Sequence, residues 1–263
     1  MSYQYLEIDL RDRAAHVWMN RPERHNAFDE ALIGELTEVF QRLGRDQRVR
    51  VVVLGGRGKS FSAGADLEWM RRAAGYTVEE NLRDARAMAR LFETIHRLPK
   101  PTVARVQGAA LGGGAGLTAT CDIAIASTQA SFATTEVRFG IIPGAISPYV
   151  IAAIGPRSAS RYFLSAERFD AAEACRIGLV HEVCAPESLD QRVDAIVAAL
   201  LSGGPSAQAA VKKLIRDVAH RPVDEALIEA TAKRIATVRA TAEAREGIGA
   251  FLEKRQPAWL AAS

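Results

Sequence analysis

The stretch Thr102-Val103-Ala104-Arg105-Val106, followed shortly by Leu111-Gly112-Gly113-Gly114, has the pattern of a β-strand leading through a glycine-rich turn into a helix. The same pattern occurs earlier, where an apolar run at residues 51–54 precedes Ser62-Ala63-Gly64-Ala65-Asp66. Each loop ends where a helix is expected to begin, so each exposes backbone N–H groups that no helical carbonyl satisfies. Taken singly, each loop is equally well an ordinary turn. Together they predict an oxygen-binding site at the carboxyl ends of parallel strands.

The regions around these loops alternate between strand and helix patterns. A strand pair is predicted at residues 5–10 and 15–19, and Asp29 is placed to cap a helix. A capping box of Thr77 and Glu80 predicts the start of a long helix that ends before Pro99. A further strand is predicted at residues 122–126. This alternation predicts an α/β fold with a parallel sheet and crossover helices.

After about residue 145 the pattern is mostly helical. Helices are predicted at residues 147–154, 159–165, 171–177, 189–201, 207–218, 223–239 and 243–253. Pro222 suits the start of one of them, because a proline at the first helical position lacks only an N–H that would be unpaired anyway. The segment 180–183 is the only added strand expected here. We therefore predict an α/β core at residues 1–200 and a helical C-terminal region at residues 201–263.

Composition narrows the class of protein. The chain has 263 residues, of which 48% are hydrophobic, which suffices for a substantial core. Its net charge of +3 is carried by scattered Lys and Arg residues, so nucleic acid is not an expected partner. No apolar run approaches the length of a membrane span, and no secretory signal is evident. Three cysteines without metal-ligand spacing are expected to be free thiols, and we expect a cytoplasmic protein.

Few side chains point to chemistry on their own. The glycine spacings match neither a phosphate-binding loop nor a dinucleotide fingerprint. The five histidines support no Ser-His-Asp arrangement, and no cluster has metal-ligand spacing. Glu136 lies in an apolar stretch, where a carboxyl group has a raised pKa and acts as an acid or a base. A lone glutamate is more often a solvated surface group, and the sequence does not show that Glu136 faces the loops.

The ordered set of motifs resembles the enoyl-CoA hydratase/isomerase (crotonase) superfamily over nearly the whole chain. The matching pieces are Asn20-Arg21-Pro22, Phe61 to Leu67, Lys100-Pro101-Thr102, Gly108 to Gly114, Cys121-Asp122-Ile123, Ala130 to Glu136, Gly140 to Gly144, Ala171 to Ala174, Gly178-Leu179-Val180 and Glu246 to Arg255. The resemblance implies a crotonase-like stack of ββα units whose helical C-terminal region mediates trimer packing, often doubled to a hexamer.

The resemblance also implies an acyl-CoA thioester ligand and no separate cofactor, because coenzyme A is part of the substrate. The N–H groups of Ala65 and Gly113 would bind the thioester oxygen, and Glu136 would transfer protons. Arg24 would contact the phosphates or the adenine, and Lys254 would reach the ligand of a neighbouring subunit. The remaining substrate-binding residues that the resemblance implies are Ala63, Asp66, Leu67, Gly112 and Gly116.

One position departs from the family pattern. Hydratases of the family typically carry two glutamates, and Gly116 occupies the place of the first while Glu136 matches the second. A single glutamate could move both protons in turn, with solvent, another side chain or a substrate carboxylate replacing the missing partner. The segment from Pro143 to Val150, with Arg161 to Leu164 and Ala166 to Asp170, is similar to bacterial methylglutaconyl-CoA hydratases of leucine and terpenoid breakdown.

These observations lead to a predicted function with two alternatives. We expect a lyase that adds water to a branched or carboxylated 2-enoyl-CoA, such as 3-methylglutaconyl-CoA. A double-bond isomerase would use the same oxyanion hole. A non-catalytic acyl-CoA-binding protein is the alternative that the missing first glutamate raises.

Overall fold

The computed structural model describes residues 3–260 and contains nine strands and ten α-helices within that range. The strands are β1 (Leu6–Arg11), β2 (Ala14–Met19), β3 (Val51–Gly56), β4 (Thr102–Val106), β5 (Ala109–Leu111), β6 (Ile123–Ser127), β7 (Ser131–Ala133), β8 (Phe169–Asp170) and β9 (Glu182–Cys184). The helices are α1 (Glu30–Arg45), α2 (Leu67–Ala73), α3 (Val78–His96), α4 (Gly113–Thr120), α5 (Ser147–Ser165), α6 (Ala171–Arg176), α7 (Leu189–Ser202), α8 (Pro205–Val218), α9 (Glu225–Arg239) and α10 (Ala242–Leu252).

The main sheet has the strand order β1-β2-β3-β4-β6-β9, with β1 antiparallel to β2 and every other pair parallel. Strand β3 is buried along its whole length because helices cover both faces of the sheet. Val52 and Leu54 belong to the core that includes α1 and α3, whereas Val51 and Val53 pack with α7. This alternation follows from the two-residue period of a strand. The predicted parallel sheet with crossover helices is confirmed.

A second, three-stranded sheet was not predicted. In it β5 pairs with β7 in parallel, and β7 pairs with β8 in antiparallel register. The expectation that residues 180–183 form the only strand beyond residue 145 is therefore wrong, because β8 lies at Phe169–Asp170. A strand of two residues has too few side chains to show an alternating pattern.

Capping residues in the sequence correctly predicted where two helices begin. Asp29 accepts a hydrogen bond from the Leu32 N–H at the start of α1, and Thr77 forms the predicted capping box of α3. The predicted start of α9 at Val223, directly after Pro222, is wrong, because Asp224 caps this helix by accepting from the Leu227 N–H. The two helices expected at residues 147–165 adjoin as α5, which is interrupted at Gly155 by a φ of 73°.

The last three helices follow the α/β part of the chain, and α10 packs against both α8 and α9. The predicted division at residue 200 falls inside α7, and it stays a prediction. None of the helices found in residues 3–260 is long and apolar enough to cross a membrane.

Candidate active site

The first loop holds Ala65 between two backbone hydrogen bonds. Gly64 O accepts from the Phe28 N–H at 2.7 Å, and the Asp66 N–H donates to Phe28 O at 2.8 Å. The Ala65 N–H between them has no acceptor among residues 3–260. Gly64 has a φ of 90°, and a Cβ there would lie 3.0 Å from Leu111 O. The loop thus requires glycine at this position, both for its backbone conformation and for its contact with the second loop.

The second loop presents Gly113 in a similar way. Gly112 directly follows β5 with a φ of 49°, and its N–H donates to Ala133 O at 2.8 Å. The first hydrogen bond of α4 is donated by the Gly116 N–H to Gly112 O. Gly113 stands at the first helical position, where the helix offers no acceptor, and its N–H has none elsewhere in the described chain.

Direct hydrogen bonds hold the two loops side by side. The Ser62 N–H donates to Ala109 O at 3.0 Å, and the Leu111 N–H donates to Ser62 O at 2.9 Å. Ala65 and Gly113 both line one cavity of about 440 Å³. The structure therefore brings two unpaired backbone donors to the same cavity, an arrangement that suits an oxygen on which negative charge develops.

Glu136 lies on the wall of the same cavity, at the start of a short 3-10 helix that follows β7. Its Oε1 is so close to the second loop that a Cβ on Gly112 would be 3.2 Å away. Its Oε2 is buried and has no hydrogen-bond partner among the described residues. Burial raises the pKa of the Glu136 carboxyl. A carboxyl whose pKa is raised in this way is suited to take up and release a proton during a reaction.

Gly116 lies behind the cavity wall rather than on it. A Cβ at this position would lie 2.9 Å from Ile146 Cβ, nearer still to the Ile146 Cγ2 methyl, and 3.2 Å from Phe92 Cε1. Ile146 itself lines the cavity. Apolar side chains thus fill the space into which a side chain at residue 116 would extend.

Asp66 supports the first loop from behind. Its carboxylate accepts from the Glu68 and Trp69 N–H groups and lies 3.3 Å from an Arg21 guanidinium nitrogen. Burial opposes ionisation of Asp66, but these backbone hydrogen bonds and the charge of Arg21 outweigh it and lower its pKa. Arg21 also forms a 2.8 Å ion pair with Asp29. This buried network fixes the residue that follows Ala65.

The remaining predicted residues divide between the cavity wall and the surface. Ala63, Leu67 and Gly112 line the cavity, as do Trp69 and Met70 of α2. Within this single chain Arg24 and Lys254 are exposed and lie off the cavity wall. Asp66 and Gly116 are likewise absent from the wall.

The comparisons with known proteins agree with this geometry. A model of the enoyl-CoA hydratase/isomerase family matches residues 11–261. The chain belongs to that family. The predicted superfamily, enzyme class and crotonase-like fold are thereby confirmed. A crystal structure of an enoyl-CoA hydratase from Shewanella pealeana superposes with a TM-score of 0.95 at 43% identity, covering 97% of this chain and 96% of that one.

Two curated relatives of this hydratase/isomerase family member illustrate the reactions in the family. The crotonyl-CoA hydratase of Syntrophomonas wolfei is 33% identical over 97% of this chain and 98% of its own length. The trans-2-decenoyl-[acyl-carrier-protein] isomerase of Streptococcus mutans is 27% identical over 98% of both chains. Proteins similar to this chain therefore include both a hydratase and a double-bond isomerase.

Arg168 is a cavity residue that sequence reasoning did not select. It lines the cavity directly before β8. Arg168 belongs to the segment Ala166 to Asp170 quoted for the resemblance, but nothing in that segment singles it out, so only the folded chain shows that it lines the cavity.

Proposed function

We propose that this enzyme adds water across the 2,3 double bond of a branched or carboxylated 2-enoyl-CoA, such as 3-methylglutaconyl-CoA. The observation that carries the proposal is the meeting of three groups at one cavity: the unpaired N–H groups of Ala65 and Gly113, and the half-buried carboxyl of Glu136. Two unpaired backbone donors at one cavity suit an enolate oxygen, and a carboxyl with a raised pKa suits proton transfer.

The proposed reaction proceeds in two proton transfers. As the water oxygen bonds to the β-carbon, the Glu136 carboxylate takes one of its protons. The electron pair of the double bond shifts toward the thioester, and the carbonyl oxygen becomes an enolate held by Ala65 and Gly113. Glu136 then returns the proton to the α-carbon as the carbonyl re-forms. No cofactor enters this scheme.

A single carboxylate serves both steps in this proposal because residue 116 supplies none. Ile146 and Phe92 fill the space beside Gly116, so the second carboxylate typical of the family's hydratases has no place there. Glu136 therefore acts first as a base and then as an acid.

The alternative is an enoyl-CoA isomerase that uses the same two donors. Glu136 would then move a proton from the α-carbon to the γ-carbon of a 3-enoyl-CoA, and water would not add. The single carboxylate and the similarity to the Streptococcus mutans isomerase motivate this alternative.

A panel of 2- and 3-enoyl-CoA esters in water labelled with heavy oxygen separates the two. We expect mass spectrometry to show one heavy oxygen in a 3-hydroxyacyl-CoA product. Double-bond migration without the label would identify the isomerase. Binding without turnover across the panel would refute both and leave an acyl-CoA-binding protein.

We also propose a homotrimer, or a hexamer of two trimers, assembled in part through the C-terminal helices. An apolar groove between α8 and α9 is lined by Val211, Leu214, Ile228 and Ile235, and three of these side chains are at least half exposed. Such a surface favours association with another copy. Analytical ultracentrifugation is expected to give three or six times the 28.4 kDa chain mass, and a monomer would contradict the proposal.

We propose a cytoplasmic location for the same enzyme. All three cysteines are free in the structure, which suits a reducing compartment. Fractionation of the source cells is expected to place the protein with cytoplasmic markers.

A further inference from the structure

The cavity wall carries two charged side chains on an otherwise largely apolar surface. They are Glu136, discussed above, and Arg168. The Arg168 side chain is exposed, and its guanidinium has no ion pair or hydrogen bond to any of residues 3–260. Nearby arginines differ, because Arg161 pairs with Glu167 at 2.5 Å and Arg176 pairs with Glu173 at 2.6 Å. A guanidinium on the wall of a ligand cavity thus lacks a protein partner.

The position of Arg168 is set by the small sheet. Phe169, the next residue, pairs with Phe132 of β7. Its ring lies 5.8 Å from the Phe132 ring and 4.2 Å from the Tyr162 ring, measured between centroids. Packing of these aromatic rings therefore holds the backbone next to Arg168, and this fixes the Cα position of Arg168 at the edge of the cavity.

The same sheet brings Arg168 to the end where the other site residues lie. Strands β5 and β7 are parallel, so their carboxyl ends, which lead to Gly113 and Glu136, share one edge. Strand β8 runs antiparallel to β7, so its amino end, which follows Arg168, lies at that same edge. The three short strands thus position the Gly113 N–H, the Glu136 carboxyl and Arg168 around one cavity.

An unpaired guanidinium here has a specific chemical consequence. The arginine side chain presents a planar set of N–H donors that match the two oxygens of a carboxylate. An uncharged acyl chain would gain nothing from it, whereas an acyl chain ending in a carboxylate would form a charge-assisted pair. We infer that Arg168 is a specificity-determining residue that binds the distal carboxylate of a dicarboxylic 2-enoyl-CoA. The inference rests on the proposed hydration of an enoyl-CoA.

The test compares two substrates that differ in one group. Glutaconyl-CoA carries a distal carboxylate, and 2-pentenoyl-CoA has a methyl group in its place. For Arg168→Gln we expect kcat/KM with glutaconyl-CoA to fall about 10- to 100-fold, the loss typical of a hydrogen bond to a charged group. With 2-pentenoyl-CoA we expect no change. Arg168→Lys should retain part of the preference, because it keeps the charge without the planar fork.

Arg161→Gln is the matched control. It removes an exposed arginine seven residues earlier, off the cavity wall, and it should leave both substrates unaffected. Circular dichroism and melting temperature establish that each variant is folded.

The outcomes separate this inference from the proposed function. Hydration of neither substrate by the wild-type protein would count against the proposed function. Wild-type hydration of 2-pentenoyl-CoA but not of glutaconyl-CoA would preserve 2-enoyl-CoA hydration as the reaction and overturn the role of Arg168. An equal loss on both substrates in a folded Arg168→Gln protein would also overturn it, because it would indicate contact with the CoA part that they share.

Discussion

Replacing Gly116 by alanine tests how the space beside the active site is filled. The added Cβ would lie 2.9 Å from Ile146 Cβ, nearer to the Ile146 Cγ2 methyl, and 3.2 Å from Phe92 Cε1. Neither neighbour is the free end of a flexible chain, so the packing must shift. Inserting one carbon into such a contact costs about 1–3 kcal/mol. Because Ile146 also lines the cavity, we expect a lower kcat as well as lower stability.

The measurement is urea unfolding at a fixed protein concentration, with the midpoint and slope compared between variants. Gly34→Ala is the control, because Gly34 lies in α1 with no atom within 4 Å of an added Cβ. We expect that control to stabilise the fold by about 0.5–1 kcal/mol. In an Ile146→Ala background, which removes the clashing branch, the cost of Gly116→Ala should shrink.

Three results would refute this reasoning. A Gly116→Ala protein as stable as the wild type would show that the space is not filled as described. A gain in stability equal to that of Gly34→Ala would have the same meaning. An unchanged cost in the Ile146→Ala background would show that the Ile146 Cγ2 branch is not the obstacle.

Three further predictions concern the donors, their support and the proton-transfer group. Ala65→Pro removes an N–H group that has no acceptor in the protein. We therefore expect kcat in steady-state assays to fall about 10²–10³-fold while the circular dichroism spectrum stays unchanged. A kcat near the wild-type value would exclude the donor role. Asp66→Ala removes the N-cap of α2 and an ion-pair partner of Arg21. Thermal unfolding should show that the free energy of unfolding falls by at least about 0.5–2 kcal/mol. An unchanged stability would contradict the supporting role of Asp66. Because burial raises the pKa of Glu136 and the base form is ionised, kcat/KM should fall as pH drops through a pKa above the usual glutamate range. An acid limb at the ordinary glutamate pKa would contradict this assignment.

The main sheet and its helices were predictable because their signals are local. Val51–Leu54 is continuously apolar, and Asp29 and Thr77 are capping residues directly before apolar helical periodicity. The helix start predicted directly after Pro222 failed because the Asp224 side chain accepts the capping hydrogen bond from the Leu227 N–H. Where a single local signal is decisive, the sequence suffices.

The small sheet and the side chains that it positions were less predictable. Strands β7 and β8 have three and two residues, too few for a period to show. Their register nevertheless decides that Arg168 and Glu136 share an edge. The loops of Ala65 and Gly113 were found from their small residues, but the contact between them depends on the Ser62–Ala110 pairing, which is nonlocal.

Turnover of the Glu136→Gln protein tests the central claim most directly. The substitution keeps the shape of the side chain and removes its ability to exchange a proton. On the enoyl-CoA that the wild-type protein hydrates fastest, we expect kcat to fall about 10²–10⁴-fold, with Glu167→Gln, a change off the cavity wall, as an unaffected control. Hydration by Glu136→Gln at a rate near wild type would contradict the account.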